Sequence, residues 1–263
     1  MGSFYARQYL CEWGGELDGA IIMGTGFQPK ALVATARTLC RVLAVFFGWE
    51  HRSKLVADLS FLGYNRGLEG RTPQDWLNRD QAEVDKYRAD ERCMFTFTLN
   101  AYYSMFTGIL RLYDPAVLAG MPKELPLLFL AGDADPVGER TAGVQRAIQS
   151  LRDAGVGNIE SKFYPGARHE LLVETNKAEV FADIAGWLEK QYLQKIKKLV
   201  IQKVNIQKQA KRNQETPQNP MMPAWNQVIL MTKVVVMTLA LQRLVMAFAK
   251  TPMTPMVMAL APL

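Results

Sequence analysis

Two short loops carry the residues that could move a proton. One is Gly132-Asp133-Ala134-Asp135-Pro136, and the other is Pro165-Gly166-Ala167-Arg168-His169-Glu170. A carboxylate that accepts a hydrogen bond from one imidazole nitrogen fixes the tautomer, and the other nitrogen is then free to take a proton from a nucleophile. Asp135 and His169 are of the right types for this. The chain has 2 histidines, and the other, His51 in Trp-Glu-His-Arg-Ser-Lys, reads as a surface residue. The plain alternative is that Asp133 and Asp135 cap the helix that follows and that His169 is an ordinary loop histidine.

The elements that would have to position this pair form a strand–helix–strand unit. Residues 125–131 are a short apolar run closed by Gly132, the pattern of a strand buried on both faces of a parallel sheet. Residues 141–154 read as a helix, with Val144, Ile148 and Leu151 on one face and Gly155 as its stop. Residues 159–164 alternate and end at Pro165-Gly166, so they read as a second strand. In a β-α-β unit both strands end at the same sheet edge, where open α/β sheets place their sites. The acid and the histidine are therefore expected on adjacent loops.

Composition narrows the class. The 263 residues carry 31 Lys and Arg against 25 Asp and Glu, a net charge of +6. Ten of those cations and one acid, Glu215, follow Lys190, which leaves 21 basic and 24 acidic residues in 1–190. The basic character belongs to the tail, so nucleic acid is not an expected partner of the folded part. Cys11, Cys40 and Cys93 have no metal spacing and read as reduced buried thiols. With no signal peptide ahead of the first element, this suggests a cytoplasmic protein.

The segments Gly-Asp-Ala-Asp-Pro-Val-Gly (132–138) and Tyr-Pro-Gly-Ala-Arg-His-Glu-Leu-Leu-Val-Glu (164–174) resemble the acid and histidine motifs of α/β-hydrolases of the serine aminopeptidase type. The branch is that of monoacylglycerol lipases and bacterial lysophospholipases, and the similarity runs over roughly residues 1–190. The resemblance implies Asp135 as triad acid and His169 as triad base. The family pattern G-x-x-D disfavours Asp133. Met1-Gly2-Ser3-Phe4 is similar to the second half of the family's G-x-S-x-G elbow, which would place the nucleophilic serine immediately before Met1. The amide N–H of Met1 would then be one oxyanion-hole donor, provided the chain continues upstream. Ser3 lacks the elbow setting and is expected to act as a helix N-cap.

What the resemblance implies about the whole is an α/β fold: the last three parallel strands of an α/β-hydrolase with an inserted helical lid. Residues 1–26 and 125–190 would be the partial core, with a helix over residues 4–13 and a buried strand over 17–23. Residues 27–124 would be the lid, with helices over 32–47 and 100–113. Its aromatics, among them Phe46, Phe47, Tyr64, Trp76, Phe95, Tyr102 and Phe106, suit an acyl groove, although lid-core packing accounts for most of them equally well. Residues 74–93 are charged and expected on a solvated face. The closing helix is expected over 176–192, with Asn176 and Glu179 as a capping pair and Val180, Ile184 and Trp187 facing inward. Truncation would leave the strand around Ala20–Met23 with an unpaired edge, and hence a poorly soluble chain.

Residues 191–263 differ in kind: a basic stretch, then a Met-rich apolar region interrupted by Lys233, Gln242 and Arg243. This tail is expected to lie outside the fold, as a frame-shifted or read-through extension, a peripheral membrane helix or a membrane span. The function implied is hydrolysis of carboxylic esters of monoacylglycerols or lysophospholipids. The chain itself would be inactive for want of the serine. Neither a metal nor a cofactor is implied, and the partner is a small lipid or ester substrate. An aspartate nucleophile, as in dehalogenases on the same fold, stays open, because that position precedes Met1. The competing class is a non-catalytic fragment that binds membranes or a partner through its tail.

Overall fold

The computed structural model describes residues 1–214 and the short strand 258–260. The chain divides into two compact units, residues 1–180 with 253–263, and residues 181–252. The first unit carries the sheet. Helix α1 (Gly2–Trp13) leads into strand β1 (Gly19–Met23). An all-helical insertion follows: α2 (Lys30–Phe47), α3 (Lys54–Ser60), α4 (Gln81–Ala89), α5 (Leu99–Arg111) and α6 (Pro115–Ala119). Strand β2 (Leu127–Gly132), helix α7 (Ala142–Asp153) and strand β3 (Ile159–Tyr164) complete the β-α-β unit. Helix α8 (Lys177–Gln214) comes next, and β4 (Met258–Leu260) is the last described element.

The sheet order is β3-β2-β1-β4. β1 runs parallel to β2, with Ile22 opposite Phe129, and β2 runs parallel to β3, with Gly132 opposite Tyr164. Every residue of β1 and β2 is buried, as their unbroken apolar sequences require. On one face Ala20, Ile22, Leu127, Phe129 and Ala131 join a core that includes Phe4 and Leu10 of α1 and Val144, Ile148 and Leu151 of α7. Each large side chain so buried contributes roughly 1.5–3 kcal/mol. Ile21, Leu128 and Leu130 on the opposite face are buried too.

Within the insertion, local chemistry fixes the helix starts. Ser53, Asp80, Thr98 and Asp114 each accept, through a side-chain oxygen, a backbone N–H of the first turn of α3, α4, α5 and α6. Leu99, Tyr102, Phe106 and Ile109 of α5 and Val33, Cys40 and Ala44 of α2 lie in the same core.

Four expectations need correction. The outer edge of β1 is not bare: β4 pairs with it antiparallel, Ala20 opposite Ala259, so the tail contributes a strand to the sheet. Ser3 is not the cap of α1, which starts a residue earlier; its buried hydroxyl donates to the Gly24 carbonyl at 3.4 Å. The closing helix runs on to Gln214, because nothing between Tyr192 and Gln214 breaks a helix. Cys93 is only half-buried, unlike Cys11 and Cys40. Val180, Ile184 and Trp187 are buried. Among the described residues no helix is long and apolar enough to cross a membrane. The Met-rich stretch, with Lys233, Gln242 and Arg243, lies outside the described residues.

Candidate active site

The parallel register of β2 and β3 brings their C-terminal loops side by side. The acid loop and the histidine loop are then stitched together by backbone. Asp133 N–H donates to the Tyr164 carbonyl at 3.1 Å and Ala134 N–H to the Ala167 carbonyl at 3.1 Å. Gly132 is needed for this approach: a Cβ there would fall 1.9 Å from the Ala167 oxygen. Asp133 points its Oδ1 at the Gly166 N–H, 2.6 Å away, so it shapes the turn and does not meet the histidine.

Asp135 does meet it. Its side chain is fully buried, and Oδ2 lies 2.9 Å from His169 Nδ1. Oδ1 accepts the Val137 N–H at 2.9 Å, which orients the carboxylate. With Nδ1–H committed to the acid, Nε2 is the free basic nitrogen, and among the described residues it has no hydrogen-bond partner. The imidazole is wedged between two elements. On the sheet side Gly24, at φ +57° just past β1, has no side chain where a Cβ would sit 2.8 Å from His169 Cε1. On the other side the Trp76 ring lies 5.2 Å away at 55°.

Burial and charge shape the surroundings. Burial and the Asp135 charge push the Tyr64 hydroxyl up to about 12. Burial raises Glu170, against the pull of His169. Burial also lowers the Met1 α-amine, and the Asp135 charge acts the other way. Tyr64 stacks edge-on against Trp76 at 5.0 Å, and Phe61 packs on both. Of the insertion aromatics expected to line a groove, Trp76 alone touches His169, with Tyr64 behind it. Tyr102 and Phe106 belong to the core, and Phe46, Phe47 and Phe95 face solvent. His51 is exposed and stacks on Phe47 at 4.9 Å. A cavity of ≈ 360 Å³ bounded by Lys30, Arg37, Thr107 and Arg111 has neither Asp135 nor His169 in its wall.

The sequence reading missed a second set of polar residues. Asp75, Asn78, Arg168 and Glu174 are buried, so the solvated face expected over 74–93 fails at its start, around 75–78, whereas residues 81–93, Val84 apart, are exposed or half-buried. The Asn176 side-chain oxygen accepts from Arg79 Nη2 at 3.0 Å, and its amide donates to Glu179, so the pair meets through side chains and not as a reciprocal cap. A signal for this set existed: three charged residues, Arg168, Glu170 and Glu174, flank the histidine within the seven positions 168–174.

A family model described as "Serine aminopeptidase, S33" matches residues 1–176. Solved structures similar to the chain include a highly thermostable carboxyl esterase from Bacillus coagulans in complex with glycerol, with TM-score 0.62 and 26% identity over 72% of this chain and 62% of that one. A soluble variant of monoglyceride lipase from Saccharomyces cerevisiae has TM-score 0.53 and 21% identity over 73% and 62%. A monoacylglycerol lipase from Paleococcus ferrophilus has TM-score 0.50 and 18% identity over 72% and 65%. The chain thus spans under two thirds of the length of each. No curated protein sequence matches it.

Proposed function

Because the chain belongs to the serine aminopeptidase S33 family of α/β-hydrolases, we propose that it is part of a serine hydrolase that cleaves carboxylic esters of monoacylglycerols or lysophospholipids. The observation that carries this reading is the buried Asp135 carboxylate at 2.9 Å from His169 Nδ1. Asp135 holds the tautomer, and His169 Nε2 takes the proton of the nucleophile and returns it to the leaving alcohol. Ser3 is not that nucleophile, since its hydroxyl is turned to the Gly24 carbonyl. The nucleophile is the serine that the family elbow places just before Met1, and the Met1 amide N–H would donate to the oxyanion. The helical insertion acts as a lid, with Tyr64 and Trp76 as the apolar wall beside the base.

The test uses the protein expressed with its upstream in-frame sequence. Ester hydrolysis and fluorophosphonate labelling at serine are expected. His169→Ala should abolish turnover, and Asp135→Asn should cut kcat by about 10⁴-fold. Residues 1–263 alone should show no His169-dependent cleavage of p-nitrophenyl esters. Such cleavage by 1–263 would place the nucleophile within this chain and overturn the upstream assignment.

A second reading draws on α8, where Leu199, Val200, Ile201, Val204 and Ile206 are exposed amid Lys197, Lys198, Lys203 and Lys208. It makes the tail a peripheral contact with anionic membranes. Flotation of liposomes with and without residues 191–263 separates the two.

A further inference from the structure

The histidine loop is held from two sides. The acid loop holds it from the sheet side, through the backbone bonds and the Gly132 approach described above. The insertion holds it from the other side, and there one side chain dominates. Arg168, next to the base, is 7% exposed. Its Nη1 donates to the carbonyls of Asp75 at 2.7 Å and Asn78 at 3.0 Å. Its Nη2 donates to both oxygens of Glu69 at 2.7 and 2.8 Å. Its own backbone N–H donates to Glu174 at 2.9 Å. Glu174 is fully buried and also receives Arg79 Nε at 2.9 Å. On the far side of the base, Glu170 N–H donates to the Leu77 carbonyl at 2.9 Å. His169 therefore sits between two neighbours that are both fastened to residues 69–79, and Trp76 of that same segment packs on its ring.

We propose that Arg168 is a positioning residue: its guanidinium fastens the insertion segment Glu69–Arg79 to the histidine loop, so that the seating of this segment sets where the imidazole stands against Asp135. This rests on the reading of Asp135 and His169 as acid and base. Arg suits the task because one planar fork reaches two carbonyls and a carboxylate that no single-headed cation could span together. The consequence is mechanical. If the segment shifts, the imidazole moves with it, and the hydrogen bond to Asp135 that fixes the tautomer lengthens. Arg168 touches no reacting atom, so its effect is on how firmly the base is held.

The readout need not be turnover. With 2 histidines in the chain, ¹⁵N-histidine spectra of the full chain resolve His169 from His51, and the His51 signals serve as internal reference. In the parent, His169 should show a single Nδ1–H tautomer with slow exchange of that proton. Arg168→Gln should speed the exchange by about tenfold, the loss expected for one charge-assisted bond, and should populate the second tautomer. Arg168→Lys should restore part of the protection. Glu69→Gln should give a smaller change in the same direction. Parent-like exchange and tautomer in Arg168→Gln would overturn the proposal. If that variant does not fold, unchanged His169 exchange in Glu69→Gln, whose substituted side chain is 54% exposed, overturns it instead. Asp135→Asn is the control: if it leaves the His169 signals unmoved, the acid–base reading itself fails. If it moves them and Arg168→Gln does not, only the role of Arg168 falls.

Discussion

Two stretches of the same helical insertion meet their surroundings in opposite ways. Residues 69–79 face the histidine loop through charges and carbonyls that pair with buried side chains of that loop: Glu69, Asp75 and Asn78 with Arg168, and Arg79 with Glu174. Helices α2 and α3 bury Val33, Cys40, Ala44 and Val56 in the core but turn Val45, Phe46, Phe47, Leu55 and Leu59 to water. The first contact is directional: each buried donor left without its acceptor carries the full cost of desolvation. The second surface is non-directional, and its apolar side chains could pack against many things equally well. Position in the insertion, not membership of it, therefore decides what a side chain does. The aromatic count of the whole segment says little about the site, whereas Trp76 alone says much.

Breaking the polar side should have the largest effect. Glu174→Ala removes a fully buried carboxylate and leaves the Arg79 and Arg168 donors without it. It should cost about 3–5 kcal/mol, because truncating one member of a buried ionic pair strands the other. Chemical denaturation against the parent measures this, and a loss below about 1 kcal/mol would mean that the interlock is dispensable. A titration sharpens the same contrast. The hydrogen bond from Arg168 heads the causes that hold the Glu69 carboxyl below its ordinary 4.5. A lowered carboxyl stabilises the folded state fully above its unfolded value, and that contribution fades as pH falls through the folded value. The Arg168 anchor should therefore be insensitive to pH above 4.5 and loosen below it. Glu69→Gln should flatten that acid-side change in His169 exchange. The effect should be modest, since the Glu69 side chain is 54% exposed and screened by water. The smallest effect belongs to the outward face. Phe46→Ser with Phe47→Ser, at residues 76% and 60% exposed, should change stability by no more than about 0.5 kcal/mol. It should also reduce light scattering at high concentration, since both rings face water. A cooperative loss of several degrees in melting temperature would show that this face is packed against something in solution.

How much of this was legible follows from the range of each interaction. β3 and α7 were readable because local periodicity and a closing Gly or Pro set their ends. β2 starts two residues later than its apolar run: the Pro126 carbonyl accepts the Ala20 N–H, but proline has no N–H of its own to give the ladder. The pairing of Asp135 with His169 was readable because parallel strands put successive loops at one edge. The partners of Arg168 were not: Asp75 lies 93 residues away in sequence, and no local pattern announces that a charged stretch will be buried. Ser3 misled because its hydroxyl found a carbonyl on the loop after β1 in place of a helix N–H. The pairing of β4 with β1 was unreadable because three residues are too short for a period.

The acid loop has a second feature besides its contact with His169. Glu139, Arg140 and Thr141 all have positive φ, at 49°, 52° and 80°, just before α7 begins. Three successive L-residues in that region hold about 1–3 kcal/mol each of conformational strain, most of all at the β-branched Thr141. The crank this makes lets Arg140 N–H reach back to the Asp135 carbonyl at 2.9 Å and Gly143 N–H to Gly138 at 2.8 Å. The loop that presents the carboxylate thus behaves as a wound spring, held closed at its base by two short backbone clasps. An achiral residue in the coil would relax it without disturbing the acid it carries.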